Sequence, residues 1–405
     1  MKPDARIVVV GAGQAGASLV ARLRAGGHEG PITMIGAEPV PPYQRPPLSK
    51  KYLLGEMQLE RLYLRPERFY KDQNIALRLN TRATGIDRTK RLVHLSDGSA
   101  LPYDALALTT GSTPRRLPDA VGGALPGVFV MRDLADADAL ADYMVSGKRA
   151  LIVGGGYIGL EAAAVAASRG VSVVLVEQAE RILARVASRE TADYFRELHQ
   201  GHGVDIREGA GLVRLSGEDH VARAELTDGT HLDIDFALVG IGISPGTSLA
   251  EQAGLIVENG IVVDAQGRTS DAAIFAAGDC ANFPYRGGRL RLESVPHAIE
   301  QADAVADVML GGTVPYEAKP WFWSDQFDVK LQIAGLNTGY TETILRPGAR
   351  TGSQSVWYFD GDTLLAVDAM NDPRNYMMGK RLIENGISPS QAQVSDPDFD
   401  LKSLL

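Results

Sequence analysis

With 405 residues, 45% hydrophobic and 22% charged, the chain is too long for one ordinary core and has the balance of a folded globular protein. Its formal net charge of −9 argues against a nucleic-acid binder. One cysteine, Cys280, excludes an internal disulfide, a Cys-x-x-Cys redox pair and a cysteine-ligated cluster within one chain, and the seven histidines lack metal-ligand spacing, so no metal is expected.

The N-terminus superficially resembles a signal peptide. Its apolar run, Ile7 to Val10, leads straight into a glycine loop and reads instead as a buried parallel strand. No run of 18 apolar residues follows anywhere, so no membrane helix is expected and the chain is read as cytoplasmic. The loop itself is Gly11-Ala-Gly13-Gln14-Ala15-Gly16. A helix is predicted from Ala17, then a strand from Ile32 to Ile35 ending near Glu38, 22 residues after Gly16.

The same grammar returns later. Ala150 to Val153 reads as a strand, Gly154-Gly-Gly156-Tyr157-Ile158-Gly159 as the loop, and the stretch from Leu160 as a helix. The strand Val171 to Val176 then leads to Glu177, 18 residues after Gly159. A shift of 143 residues lays Gly11, Gly13 and Gly16 onto Gly154, Gly156 and Gly159. Each copy has the parts of a dinucleotide-binding βαβ unit: one glycine for the tight turn, one for close approach of a pyrophosphate, and one for packing of helix on strand. The phosphates would sit at the positive helix N-terminus, and the terminal acid would accept hydrogen bonds from ribose hydroxyls. Glu177 would repel a 2′-phosphate, which favours NADH over NADPH at the second site. Arg181 and Arg185 are open to two readings, a phosphate contact or a solvated face. Two dinucleotides in one chain point to an electron relay, with FAD in the first site and NADH in the second.

Three further apolar runs sort the chain: Tyr103 to Ser112, which contains Thr110-Gly111; Ile234 to Pro245, which contains Gly242; and Thr269 to Cys280, which contains Gly278-Asp279. With these, the sequence resembles the two-dinucleotide flavoproteins, whose FAD domain is split by an inserted NAD domain. Arg45-Pro-Pro-Leu-Ser-Lys50, the stretch Glu293 to Ala302, and Trp321-Phe-Trp-Ser-Asp-Gln326 narrow the resemblance. It is to the FAD-dependent NADH:ferredoxin reductases of bacterial oxygenase systems, the group of the putidaredoxin and palustrisredoxin reductases, and it runs from Arg6 to about Met378.

The resemblance implies an α/β fold: two Rossmann-like domains in the glutathione-reductase arrangement plus a C-terminal α+β domain. The expected division is 1–112 with 243–318 for FAD, 113–242 for NADH, and 319–405 for the C-terminal domain. On the FAD side it implies Gly11, Gly13, Gln14, Ala15, Thr110, Gly111, Arg132, Gly278 and Asp279, with Ala83 meeting adenine through its backbone. Arg45 and Lys50 would approach the flavin, Val295 would meet the pyrimidine end of its ring, and Trp323 would sit beside it. Relatives place the ribose acid where Ala37 stands, so Glu38 does that work from a shifted register or nothing does. On the NADH side the set is Gly154, Gly156, Tyr157, Ile158, Gly159, Glu177, Arg185 and Gly242, with Tyr157 shielding the nicotinamide side until NADH displaces it. Lys50 is expected to pair with Glu161.

Physical chemistry supports several of these roles. Pro296 suits the first turn of a helix, whose N-terminus at Val295 would face the negative charge of a reduced flavin. An unpaired Lys50 or Glu161 beside an apolar ring would be costly. No catalytic acid, base or nucleophile is expected; Lys50, Glu161 and Tyr157 act on the flavin's surroundings. His297 reads as structural, Cys280 as a small packed residue, and the Trp321–Trp323 cluster as core or site. Arg286, Arg289 and Arg291 either steer an acidic partner or form a solvated loop. With a single thiol, thiol–disulfide chemistry is set aside, and electrons would leave directly for a [2Fe–2S] ferredoxin serving a cytochrome P450 or ring-hydroxylating oxygenase. The alternatives are an NADH oxidase, a rubredoxin, quinone or monodehydroascorbate reductase, or a redox-sensing binding protein like the apoptosis-inducing flavoproteins.

Overall fold

The computed structural model describes residue 2 and residues 4–405, which form two units. The first combines Met1–Gln44, Gln58–Thr113 and Ile243–Pro320; the second combines Arg45–Met57, Pro114–Gly242 and Trp321–Leu405.

In the first unit, five parallel strands lie in the order Ile274–Ala276, Ala105–Leu108, Ile7–Val10, Ile32–Ile35 and Ile75–Arg78. Alternation along Ile7–Val10 sets the layers. Ile7 and Val9 pack with Leu19, Leu23 and Val305 of the helices Gln14–Ala25 and Val295–Met309. Val8 and Val10 face the opposite way, with Val93 and Leu95 of a three-stranded antiparallel sheet, Ala83–Asp87, Leu92–Leu95 and Ala100–Pro102. A strand buried on both faces is why the run is apolar without interruption. The order reverses beside Ile7–Val10, and such a switch point opens a crevice at the carboxyl end of that strand, where the glycine loop lies.

The second unit repeats the plan. Its parallel strands run Asp205–Glu208, Ser172–Glu177, Arg149–Val153, Phe236–Val239 and Val128–Phe129. Ala150 and Ile152 pack with the helix Tyr157–Ser168, while Leu151 and Val153 face Leu215, Ala224 and Leu226 of an antiparallel sheet. The unit also holds a five-stranded antiparallel sheet, Trp321–Gln326, Val329–Gly335, Thr363–Met370, Gln354–Asp360 and Glu342–Pro347. In Gln354–Asp360, Trp357 and Phe359 pack toward Leu382 of the helix Pro373–Glu384, and Val356 and Tyr358 toward the core that contains Leu160. Arg45–Met57 belongs to this unit, with Leu53 in the same core.

Two local expectations shift. The helices begin at Gln14 and Tyr157, three residues before Ala17 and Leu160. The middle glycine of each loop is the extended N-cap, and the third glycine sits inside the first turn rather than ahead of it. The hairpin that joins Gln354–Asp360 to Thr363–Met370 turns at Gly361-Asp362, because Asp360 still pairs with Thr363 and Gly361 takes the left-handed φ of 55°.

Candidate functional site

The two glycine loops are built alike. Gly11 donates its N–H to Ile35 O at 2.9 Å, and Gly154 donates to Val176 O at 2.8 Å, so each loop is tied to the next strand. A Cβ on Gly11 would lie 2.1 Å from Thr109 O, and one on Gly154 2.4 Å from Gly240 O. A Cβ on Gly16 would meet Gly11 O at 2.0 Å, and one on Gly159 would meet Gly154 O at 2.1 Å. The first and third glycines are therefore demanded by the protein's own backbone. The middle ones are not: a Cβ on Gly13 or Gly156 would touch nothing within 4 Å. Neither helix has a side-chain cap, and the first amides of a helix have no partner within it. Open space before uncapped amides at a positive helix end suits a pyrophosphate, so the residues at both loops fit a dinucleotide.

The acids differ. Glu177 accepts from the Gly155 amide at 2.7 Å and from the Ala179 amide at 2.8 Å, which fixes its carboxylate at the loop. Glu38 accepts from the Tyr43 hydroxyl at 2.5 Å, while Ala37 is exposed. Arg185 approaches Gly242, whose φ is 103°, to 3.9 Å of where a Cβ would stand, and Arg115 comes within 4.0 Å of the same point. Arg181 is spent on its own loop, donating to the carbonyls of Ile182, Ala184, Ala187 and Ser188.

Within the first unit Gly278 meets the first loop, since a Cβ on it would stand 3.0 Å from the Ala15 Cβ. Asp279 accepts from the Ser112 hydroxyl at 2.8 Å, and the Thr110 hydroxyl donates to Gly246 O at 2.5 Å. Gly111 has a left-handed φ of 64°. Ala83 opens its strand opposite Leu95 and packs against the core that includes Val10 and Ile35. Val295 is the first residue of its helix, capped by Ser294, whose hydroxyl accepts from the His297 amide at 3.3 Å. His297 is buried against Phe283, with Nδ1 2.9 Å from the Tyr316 hydroxyl, and burial holds its pKa down at about 4. Cys280 is wholly buried, and burial pushes its thiol up. Arg289 donates to Val263 O, and Arg291 pairs with Glu293 at 2.6 Å, so both are held by partners within the first unit.

The second unit holds the remaining FAD-side candidates. Arg45 donates to Arg132 O at 2.8 Å. Lys50 Nζ lies 2.8 Å from Glu161 Oε1, and Glu161 is only 2% exposed. Its carboxylate also accepts from the Ser49 hydroxyl at 2.8 Å and the Ser324 hydroxyl at 2.7 Å. Tyr157 and Ile158 open the same helix that carries Glu161. The Tyr157 ring packs on Phe322 at 5.1 Å, its hydroxyl buried without a partner and pushed up by that burial. Trp323 is half-buried beside Trp321. Ser49 and Ser324 were not anticipated as site residues. Both sit in the motifs quoted above, one position before Lys50 and one after Trp323. Among the described residues no group of three His, Cys, Asp or Glu could hold a metal ion.

Residues 5–302 match the family model described as pyridine nucleotide-disulphide oxidoreductase, and residues 321–405 match the reductase C-terminal model. The chain is 43% identical over 406 residues to a ferredoxin–NAD(P)+ reductase of a Sphingomonas species, covering 98% of this chain and 97% of that one. It is 40% identical over 412 residues to putidaredoxin reductase CamA of Pseudomonas putida, covering 100% and 98%. Among solved structures, a covalent putidaredoxin reductase–putidaredoxin complex matches with a TM-score of 0.95 and 40% identity, over 99% of this chain and 98% of that one.

Proposed function

The chain belongs to the pyridine nucleotide-disulphide oxidoreductase family, and on that premise we propose that it is an FAD-dependent reductase that carries electrons from NADH to a [2Fe–2S] ferredoxin. That ferredoxin serves a cytochrome P450 or a ring-hydroxylating oxygenase. The carrying observation is the matched pair of loops, each with two glycines required by packing and a middle glycine open to a ligand. The printed names of the relatives, ferredoxin reductase and putidaredoxin reductase, support the acceptor.

FAD, held at the first loop, would supply the chemistry of accepting a hydride from NADH and releasing its two electrons one at a time. The chain's residues bind and orient. The Gly13-Gln14-Ala15 turn, Gly11, Thr110, Gly111, Gly278 and Asp279 hold FAD in the first unit, with Glu38 as the nearby acid. Gly156-Tyr157-Ile158, Gly154, Gly159, Glu177, Arg185 and Gly242 hold NADH. Glu177, fixed by two amides, presents negative charge where a 2′-phosphate would sit, which favours NADH. Lys50 brings a cation to the flavin, and Glu161 keeps it neutralised and in place. Arg45, Arg132, Val295 and Trp323 complete the flavin's surroundings, and Tyr157 covers the nicotinamide face. With Cys280 alone and wholly buried, no thiol takes part.

A cytoplasmic location belongs to the same proposal; among the described residues no helix is long and apolar enough to cross a membrane. Electron stoichiometry tests the reading. Limiting NADH, added without oxygen to catalytic enzyme and excess [2Fe–2S] ferredoxin, should reduce about two ferredoxins per NADH. Reduction of rubredoxin or a quinone with ferredoxin left oxidised would overturn the acceptor.

A further inference from the structure

Behind Glu161 the hydrogen bonding continues inward. The Gln326 amide donates to Ser324 Oγ at 3.1 Å, and the Ser324 hydroxyl donates to Glu161 Oε1 at 2.7 Å. On its other side, Gln326 Oε1 lies 2.9 Å from His199 Nε2. Ser324, Gln326 and His199 each have no exposed surface. Ser324 and Gln326 lie two apart on one strand, so both project to the same face. His199 comes from the helix Arg189–Gly201, where its ring meets Phe327 edge-on at 5.0 Å.

The direction of this chain is determined. If the Gln326 amide were reversed, its NH2 would face His199 Nε2, which would then have to accept. The imidazole proton would move to Nδ1, which is buried with no partner. The serine hydroxyl, with one proton, would also have to choose between Gln326 and Glu161. The observed orientation leaves only a bare acceptor at Nδ1, and a buried unpaired acceptor is less costly than a buried unpaired N–H. Every donor therefore points toward Glu161: His199 to Gln326, Gln326 to Ser324, Ser324 to the carboxylate. Burial also holds the His199 pKa down at about 4, so the ring is neutral and can serve as this one-proton donor.

We propose that His199 and Gln326 are positioning residues that act through Ser324 to hold the Glu161 carboxylate against Lys50, and thereby set the flavin's reduction potential. The inference rests on the assignment of Lys50 and Glu161 to the flavin's surroundings. Hydrogen bonds to the charged form of a carboxylate favour that form, and serial donors polarise one another. Without the relay, the Glu161 carboxylate turns away from Lys50, the Lys50 charge is left uncompensated, and a reduced, negatively charged flavin is favoured.

The test is the two-electron midpoint potential of the FAD-loaded protein, measured by dye equilibration for five forms: wild type, Glu161→Gln, Gln326→Leu, His199→Leu and His199→Gln. Glu161→Gln is expected to raise the potential. Gln326→Leu and His199→Leu should raise it too, by about a tenfold change in the reduction equilibrium, which is ~30 mV for a two-electron couple. His199→Gln restores a donor at the Nε2 position and should sit at the wild-type potential. If both leucine variants hold the wild-type potential while Glu161→Gln shifts, the relay is overturned and the Glu161 assignment stands. If Glu161→Gln does not shift, that assignment fails and the relay falls with it. Should Gln326→Leu lose FAD, the two His199 variants decide, and equal shifts in both would overturn the role of the donated hydrogen bond.

Discussion

Lys50 Nζ stands 2.8 Å from Glu161 Oε1, joining residues 111 positions apart in sequence within one unit. The carboxylate is almost wholly buried and the lysine keeps 16% exposure. Breaking a buried pair by removing one partner costs about 3–5 kcal/mol, because a charge is left uncompensated. With Lys50 partly wet, Glu161→Ala should fall at the low end, about 3 kcal/mol, read from urea unfolding with FAD in excess. An unchanged midpoint would mean that the pair adds nothing to the fold.

The glycines separate folding from binding. Gly11→Ala places a Cβ 2.1 Å from a backbone carbonyl at a φ of 119°, so it should prevent folding. Gly13 has an ordinary φ of −98° and open space, so Gly13→Val should fold yet purify colourless, with FAD affinity down at least about tenfold. A yellow, fully loaded Gly13→Val protein would contradict the first loop's role. Gly156→Val should keep FAD and raise the KM for NADH by a similar factor.

Glu177→Gln removes the charge and keeps an acceptor for one of the two loop amides that Glu177 holds. Its preference for NADH over NADPH, taken as the ratio of kcat/KM values, should drop about tenfold, or ~1.4 kcal/mol. An unmoved ratio would remove Glu177 from the ribose site.

Asp368 supplies a pH dependence. It is buried, accepts from Tyr358 and Thr191 at one oxygen, and has no partner at the other. Burial raises its pKa from 3.8 to about 6. The folded state thus holds a proton that the unfolded state releases. This contribution to stability is complete below about pH 4 and is lost as pH rises through 6. Two pH units correspond to about 3 kcal/mol. Asp368→Asn should therefore gain about that much relative to wild type between pH 4 and pH 8, measured by unfolding with excess FAD. A pH-independent difference would show that Asp368 is ionised throughout.

Cys280→Ala should leave turnover within about twofold, since a buried thiol with a raised pKa is neither nucleophile nor redox partner. A large loss measured with ferredoxin as acceptor would reopen thiol chemistry.

The loops were legible because glycine spacing, strand periodicity and terminal acids all report one local geometry. Gly278 against Ala15 and Lys50 against Glu161 are long-range meetings that no local pattern encodes; the second follows only from the resemblance to known reductases, which places Gly278 and Ala15 on the FAD side without pairing them. Ser324 and Gln326 could be read as sharing a strand face, but nothing marked what that face would meet. His199 carried no signal at all. It lies on an amphipathic helix, and its partner is 127 residues away. Arg289 and Arg291 looked available for a partner because sequence does not show the carbonyl and the carboxylate that hold them.

The central claim is the relay from NADH to ferredoxin. The most direct measurement is anaerobic rapid mixing of the FAD-loaded protein with NADH, then with a [2Fe–2S] ferredoxin, following flavin and iron–sulfur absorbance together. The account predicts flavin bleaching and then ferredoxin reduction, both faster than steady-state turnover. Slow flavin reduction with a persistent charge-transfer band, or bleached flavin that never passes electrons to ferredoxin, would contradict it.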